Sequence, residues 1–175
     1  RRRRQRQMCI RDSTYPSLRD NIAHLLAIKA CINTNDAQKG INIHQGIQFM
    51  EQEKDEIELK TTLITFYGYF HDIKVSIEIF DSIKNNDKTM ITINEMMHSF
   101  CNNKMYQQCI DLYQNIENIN DKLIPDIMCY VNVLKACTEV TSYHFGQQIH
   151  EKLLLNTNKE IFNDSMIQSS LINFY

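Results

Sequence analysis

The sequence repeats itself at a nearly fixed offset, and this repetition constrains the fold more than any other feature. Residues 29–44 read KACINTNDAQKGINIH and residues 135–150 read KACTEVTSYHFGQQIH, so six of sixteen positions match at an offset of 106. A second match relates LITFY at residues 63–67 to LINFY at residues 171–175, at an offset of 108. Self-similarity over such distances is typical of repeat proteins, in which each unit packs on the next.

Apolar residues at helical spacing divide this long period into pairs of short amphipathic segments. The first segments of the pairs are expected near residues 22–32, 58–68, 91–101, 128–138 and 166–175. Their starts, at about 21, 57, 90, 127 and 165, are 36, 33, 37 and 38 residues apart. Four glycines and two prolines are too few for a fold of many short strands and tight turns. We predict an all-α chain, an α-solenoid of stacked helical hairpins that winds into a right-handed superhelix.

The same spacing divides the chain into repeats at residues 21–56, 57–89, 90–126, 127–164 and 165–175, of which the last is incomplete. Phe80 and Tyr113 occupy equivalent positions in the second helices of two repeats. Large aromatic side chains at such positions fill the space between neighbouring hairpins. We therefore expect both rings to be buried.

Charge is distributed unevenly along the chain, although the formal net charge is only -2. Residues 1–20 carry seven Arg and two Asp, a local charge of +5, whereas residues 21–175 carry twelve Lys and nineteen acidic residues, a local charge of -7. We interpret residues 1–20 as an Arg-rich, solvated tail or linker, although a transit peptide has the same composition. The chain starts at Arg1 and stops within a helical pattern at Tyr175, so we expect a longer protein.

Enzymatic and membrane functions find no support in the sequence. The six cysteines include no CxxC pair, so we expect no metal site and interpret them as reduced thiols packed as small hydrophobes. The pairs Cys101/Cys109 and Cys129/Cys137 each have the spacing of one helix face. There is no glycine-rich phosphate loop, no arrangement of nucleophile and base, and no apolar run of about 18 residues. We predict no enzyme, no cofactor, no small-molecule substrate and no membrane partner.

Several motifs at matching spacing resemble one family. LIPD at residues 123–126, followed by IMCYVNVLKAC and later GQQIH, resembles the boundary and the VLKAC and GxxIH motifs of long-type pentatricopeptide repeats. LITFY and LINFY resemble the short-type LIxMY, and ITINEMM at residues 91–97 resembles the opening of the standard repeat. Over residues 21–175 the chain is similar to plant pentatricopeptide repeat proteins with alternating long and short repeats. Tetratricopeptide repeats are the alternative, but their Trp, Gly, Tyr and Ala pattern is not found.

The sequence departs from this family pattern at five positions. His71 and Lys104 replace the glycine that usually lies between the two helices, which implies a different turn or some strain. Ser76 and Cys109 replace the usual alanine of the second helix, and Ile93 replaces the usual Trp. Such drift is compatible with a diverged functional member or with a decaying copy.

The resemblance implies single-stranded RNA as the partner, with one base read per repeat by the fifth residue of the first helix and the last residue of the repeat. The implied base-reading residues are Asn94, Asp126, Thr61, Thr89 and Ser169. Residues at the second position, which sandwich the bases, are Ile22, Ile91, Met128 and Met166, and the implied phosphate contacts are Lys29 and Lys135.

Asn94 with Asp126 forms the one complete polar pair of the usual type, which the family associates with pyrimidines. Leu25 and Val131 occupy the same reading position in long-type repeats, and we expect them to pack rather than to read. Without the family pattern, a helix-capping role would be the preferred interpretation of Asn94.

Two functional hypotheses follow from the sequence. The first is sequence-selective RNA binding that supports editing or processing of organellar transcripts, with RNA-editing or processing factors as partners and the mitochondrion as the expected compartment. The alternative is a protein-binding helical scaffold, since stacked hairpins serve either purpose and the acidic residues 21–175 do not favour a polyanion.

Overall fold

The structure is a computed structural model that describes residues 16–47, 54–155 and 159–175. Over these residues it contains helices and connecting turns but no strand, which confirms the predicted all-α fold of helical hairpins. The helices are α1 (Pro16–Asn33), α2 (Ala37–Gly46), α3 (Lys54–Tyr69), α4 (Ile73–Ser82), α5 (Met90–Asn102), α6 (Tyr106–Gln114), α7 (Ile116–Ile119), α8 (Ile127–Glu139), α9 (Tyr143–Leu155), α10 (Lys159–Phe162) and α11 (Ser165–Phe174). The right-handed superhelix stays a prediction.

The described residues divide into two compact units, and the boundary between them, Leu59 to Lys60, lies inside α3. In the first unit α1 and α2 pack as a hairpin around buried Leu25, Ile28 and Cys31. Most of the predicted tail lies outside the described residues, and α1 starts at Pro16, before the predicted first repeat.

The second unit is a stack of hairpins. Helix α5 packs on α4, α6 and α8, and α8 packs in turn on α6, α9 and α11. Ile93, Met96 and Met97 of α5 are fully buried, as are Val133 and Leu134 of α8. Such helices are enclosed because each hairpin covers the apolar face of its neighbour. None of the described helices has the length and apolar character needed to cross a membrane.

The same turn reverses the chain between the two helices of every complete hairpin. A residue with positive φ follows the first helix, and its N–H donates to the carbonyl oxygen three residues earlier at 3.2–3.4 Å. The N–H of the next residue donates to the carbonyl oxygen five residues earlier at 2.9–3.0 Å, which completes a Schellman motif. The positive-φ residues are Asn35 (55°), His71 (63°), Lys104 (59°) and Thr141 (54°).

These turn residues are separated by 36, 33 and 37 positions. The predicted starts of the first four repeats are separated by the same three distances. His71 and Lys104 therefore keep the turn type that glycine favours, so the first of the two alternatives, a different turn, is wrong. What remains is the conformational cost of a left-handed residue with a side chain.

A small buried residue lies at the fourth position of the second helix in each of the four hairpins with such a turn. Gly40, Ser76, Cys109 and Gly146 occupy this position in α2, α4, α6 and α9. Ser76 Oγ donates to the carbonyl oxygen of Ile64 at 3.1 Å, so its buried hydroxyl is satisfied. At Gly146 an added Cβ would collide with the ring of Phe174, because that side chain of α11 lies against the glycine.

The cysteines among the described residues are buried and free. Cys129 and Cys137 share α8, as their spacing predicted. Cys101 and Cys109 lie in different helices, α5 and α6, so the expectation that this pair shares one helix face is wrong. A spacing of eight residues also joins two facing helices when a tight turn lies between them.

Phe80 and Tyr113 are both buried, with 7 % of each surface exposed, which confirms the sequence prediction. The ammonium group of Lys88 lies 4.3 Å from the centre of the Phe80 ring, a cation–π contact. Burial lowers the pKa of Lys88, and the charge of Asp81 opposes that shift. The Phe80 ring is therefore enclosed and also supports a buried cation.

We expect Phe80→Ala to lower the free energy of unfolding by about 3–5 kcal/mol, because it empties an enclosed aromatic site. Tyr69→Ala is the matched control: Tyr69 is 47 % exposed, and its loss should cost less than about 1 kcal/mol. Urea melts followed by circular dichroism measure both values. Equal losses for the two variants would show that Phe80 does not fill a core site.

A second prediction concerns the left-handed turns. Thr141→Gly should raise the free energy of unfolding by about 1 kcal/mol, because a β-branched residue is strained at positive φ. Lys104→Gly should raise it less, and Asn35→Gly should change it by less than about 0.5 kcal/mol, since asparagine tolerates this conformation. The order of the three urea midpoints is the test. An equal effect at Asn35 and Thr141 would contradict it.

Candidate nucleic-acid interface

Asn94 and Asp126 meet at the junction of two neighbouring repeats. Asn94 lies in the second turn of α5, and Asp126 immediately precedes α8. The Asn94 Nδ2 group donates to both carboxylate oxygens of Asp126, at 2.9 Å each. Hydrogen bonds to a carboxylate are stronger than those between neutral groups. The carboxylate therefore fixes the orientation of the amide, since the opposite orientation would place the amide oxygen against it.

The same carboxylate also caps α8. Asp126 Oδ1 accepts a hydrogen bond from the backbone N–H of Cys129 at 3.0 Å. Helix α5 is capped by Thr89, whose Oγ1 accepts from the N–H of Thr92 at 3.2 Å. The interpretation of Asn94 as a capping residue is therefore wrong. The capping role belongs to its partner, and an Asp at this position satisfies an N–H that the helix start leaves without a partner.

The amide oxygen of Asn94 is buried and accepts no hydrogen bond from the described residues. Its backbone oxygen is approached by Asn132 Nδ2 at 3.4 Å. A buried acceptor without a donor is uncommon in folded proteins and marks a strained or a functional position. Here the unsatisfied oxygen belongs to the residue that the family pattern places at a base edge.

Thr61 and Thr89, the incomplete pair, do not contact each other directly. Thr92 Oγ1 lies 2.9 Å from Thr61 Oγ1 and 3.0 Å from Thr89 Oγ1, so it connects them. Thr61 is 8 % exposed and Thr92 is fully buried, whereas Thr89 is exposed. Little of Thr61 is accessible to a base edge in this arrangement. Sequence analysis did not identify Thr92, whose only signal was a hydroxyl residue two positions before Asn94 in the same helix.

The remaining predicted reading positions lie as follows. Ser169 is exposed on α11, and its Oγ donates to the carbonyl oxygen of Ser165 at 2.8 Å. Asp164 caps α11 by accepting from the N–H of Met166 at 2.8 Å. Leu25 is buried and Val131 is half-buried, as expected for residues that pack.

The second-position residues are exposed apolar side chains near the starts of the first helices. In the second unit Ile91, Met128 and Met166 are 67 %, 39 % and 46 % exposed. Ile22 of the first unit is 50 % exposed. Exposed apolar side chains of this size offer flat, water-excluding surfaces to a planar ligand. Ile91 lies on α5, the helix that carries Asn94. Met128 lies on α8, the helix that Asp126 caps.

The two predicted phosphate contacts, Lys29 in α1 and Lys135 in α8, are exposed. Among the described residues no group of three or more His, Cys, Asp or Glu side chains could hold a metal ion.

Comparison with known proteins supports the predicted resemblance. No family model matches the chain. A pentatricopeptide repeat-containing protein of Arabidopsis thaliana is 21 % identical over 148 residues, which cover 85 % of this chain and 20 % of that protein. A second from the same plant is 26 % identical over 81 % of this chain and 23 % of its own length. A third, named as mitochondrial, is 28 % identical over 77 % of this chain and 13 % of its own length.

The chain thus spans about a fifth of the length of the curated relatives it matches. These matches confirm the similarity to plant pentatricopeptide repeat proteins. The subclass with alternating long and short repeats stays a prediction.

Proposed function

We propose that this chain, similar over most of its length to pentatricopeptide repeat proteins, binds single-stranded RNA and reads one base with Asn94 and Asp126. The observation that supports this is the double hydrogen bond from the Asn94 amide to the Asp126 carboxylate. It holds an amide of α5 in one orientation, and each of the two helices at this junction, α5 and α8, also carries an exposed apolar side chain, Ile91 and Met128. A base placed between those side chains would meet an oriented polar group at its edge.

The chemistry of the pair suits a base that presents an N–H group. Asn94 Oδ1 accepts no hydrogen bond from the part of the chain that the structure describes, and a base N–H would satisfy it after a small movement of the side chain. The Watson–Crick edge of uracil presents such a donor between two carbonyl oxygens. A hydrogen bond from the uracil N–H to Asn94 Oδ1 therefore agrees with the pyrimidine preference that the resemblance implies.

One base pocket supplies only part of the affinity. A recognised and stacked base contributes about 1–3 kcal/mol, so the chain should bind RNA weakly unless further repeats contribute. Lys29 and Lys135 would contact phosphates and offset the local charge of -7 in residues 21–175.

The biological role we propose is the selection of a site on organellar transcripts for editing or processing. The chain would act as a binding protein, and RNA-editing or processing factors would carry out the reaction. A mitochondrial location is proposed with it, because one of the relatives is named as mitochondrial.

The charge of residues 21–175 favours a second candidate, a helical scaffold that binds another protein. Salt separates the two candidates. RNA binding should weaken steeply as salt is added, whereas binding through apolar helix faces should not.

A test of the reading pair uses Asp126→Asn, which keeps a capping side chain but removes the carboxylate that orients Asn94. We expect the preference among RNA oligomers that differ at one position to fall by about tenfold, the equivalent of 1.4 kcal/mol. The measurement is fluorescence anisotropy at low salt.

Asp164→Asn is the matched control for that variant. Asp164 caps α11 in the same way, but the fifth residue of its repeat is Val131, which cannot hydrogen-bond a base. It should leave the preference unchanged. If wild type binds all four bases equally at every position, the reading function is wrong and the scaffold becomes the better proposal.

A separate prediction concerns the backbone contact. Lys135→Ala should weaken binding of all RNA sequences alike and reduce the slope of log affinity against log salt by about 0.7. Lys74→Ala, which removes an exposed lysine from the second helix of a hairpin, should leave that slope unchanged. A change in base preference at Lys135→Ala, with no change in slope, would contradict a phosphate contact.

A further inference from the structure

Two cysteines face each other across the hairpin formed by α5 and α6. Cys101 lies in the last turn of α5 and Cys109 in the first half of α6. Their sulfur atoms are 3.7 Å apart, and both side chains are buried. Each sulfur also lies close to the carbonyl oxygen of Asn132, at 3.6 and 3.8 Å. The two thiols therefore lie together where α5, α6 and α8 meet.

We propose that Cys101 and Cys109 form an oxidisable dithiol that closes to an intrahairpin disulfide when it reacts with a peroxide. A disulfide bond is about 2.05 Å long, so the two sulfur atoms must approach each other by roughly 1.7 Å. They lie on facing helices joined by a three-residue turn, Asn103 to Met105, so that approach occurs within one hairpin.

The two thiols differ in acidity, which assigns their roles. The hydrogen bond between the two thiols lowers the pKa of Cys101, while the same interaction and burial raise the pKa of Cys109. The thiolate is the nucleophile in thiol oxidation, so Cys101 reacts first. Burial raises the pKa of Cys129 to about 12 and of Cys137 to about 11, which keeps those thiols protonated.

Hydrogen peroxide is the oxidant, and it is small enough to reach a buried thiol through local opening of the turn. The Cys101 thiolate attacks one peroxide oxygen, the O–O bond breaks, and hydroxide leaves with a proton as water. The product is a sulfenic acid at Cys101. Cys109 then attacks that sulfur, its proton leaves with the hydroxyl group as a second water, and the S–S bond forms. Two thiols and one peroxide give one disulfide and two waters.

The experiment is peptide mapping of the full chain after treatment with hydrogen peroxide, alkylation of remaining thiols and digestion with trypsin. Trypsin cleaves after Lys104, so Cys101 falls in residues 89–104 and Cys109 in residues 105–122. Cys9, Cys31, Cys129 and Cys137 each fall in a further peptide of their own. Every possible disulfide therefore joins a distinct pair of peptides.

We expect the disulfide-linked pair 89–104 with 105–122, a mass loss of about 2 Da in the intact chain, and reversal of both by dithiothreitol. Cys109→Ala should abolish the linked pair, and the control Cys129→Ala should retain it. If Cys109→Ala does not fold, the peptide map of the wild-type chain tests the proposal, because it identifies the linked pair directly.

Two results would overturn the proposal. One is oxidation of Cys31, Cys129 or Cys137 ahead of the facing pair. The other is irreversible oxidation of Cys101 without a linked peptide, since this would mean that Cys109 cannot reach it. Neither result depends on RNA, so the outcome is independent of the proposed function.

Discussion

The left-handed residue after the first helix is the constraint on which each hairpin depends. Asn35, His71, Lys104 and Thr141 each allow two backbone hydrogen bonds that end one helix and reverse the chain within a few residues. Five residues after each of them lies the small buried residue of the second helix: Gly40, Ser76, Cys109 and Gly146. The turn thus determines which side of the second helix faces the first. A change of turn length would rotate that helix and expose its apolar face.

The hairpins could be predicted because their signals are local. Apolar spacing gives the helices, and the internal matches give a period that reappears in the spacing of the turns. The loss of glycine at His71 and Lys104 pointed to a different turn or to strain, and the structure keeps the turn. The reason is that a Schellman motif is made by backbone groups, which any residue supplies. The side chain adds only a conformational cost, of which a substitution to glycine would recover a part.

The side-chain contacts between repeats could be predicted only in part. Asn94 and Asp126 were paired by the family pattern, but the capping role of Asp126 depends on where α8 starts. Thr61 meets Thr92 rather than Thr89, and Cys101 faces Cys109 across a turn. Each of these contacts depends on how far one helix is shifted along the next. Periodicity places a residue on a face, but it does not determine that shift.

Polar contacts between successive first helices determine how far one helix is shifted along the next, which periodicity alone does not. Thr61 meets Thr92 between α3 and α5, while the Asn132 amide approaches the backbone of Asn94 between α5 and α8. A hydrogen bond adds only about 1 kcal/mol net, so apolar burial provides most of the stability. A buried polar group left without its partner costs more than that, so a shifted register is penalised at each such contact. In this way apolar residues hold the helices together, and a few buried polar residues select the alignment that brings Asn94 to Asp126.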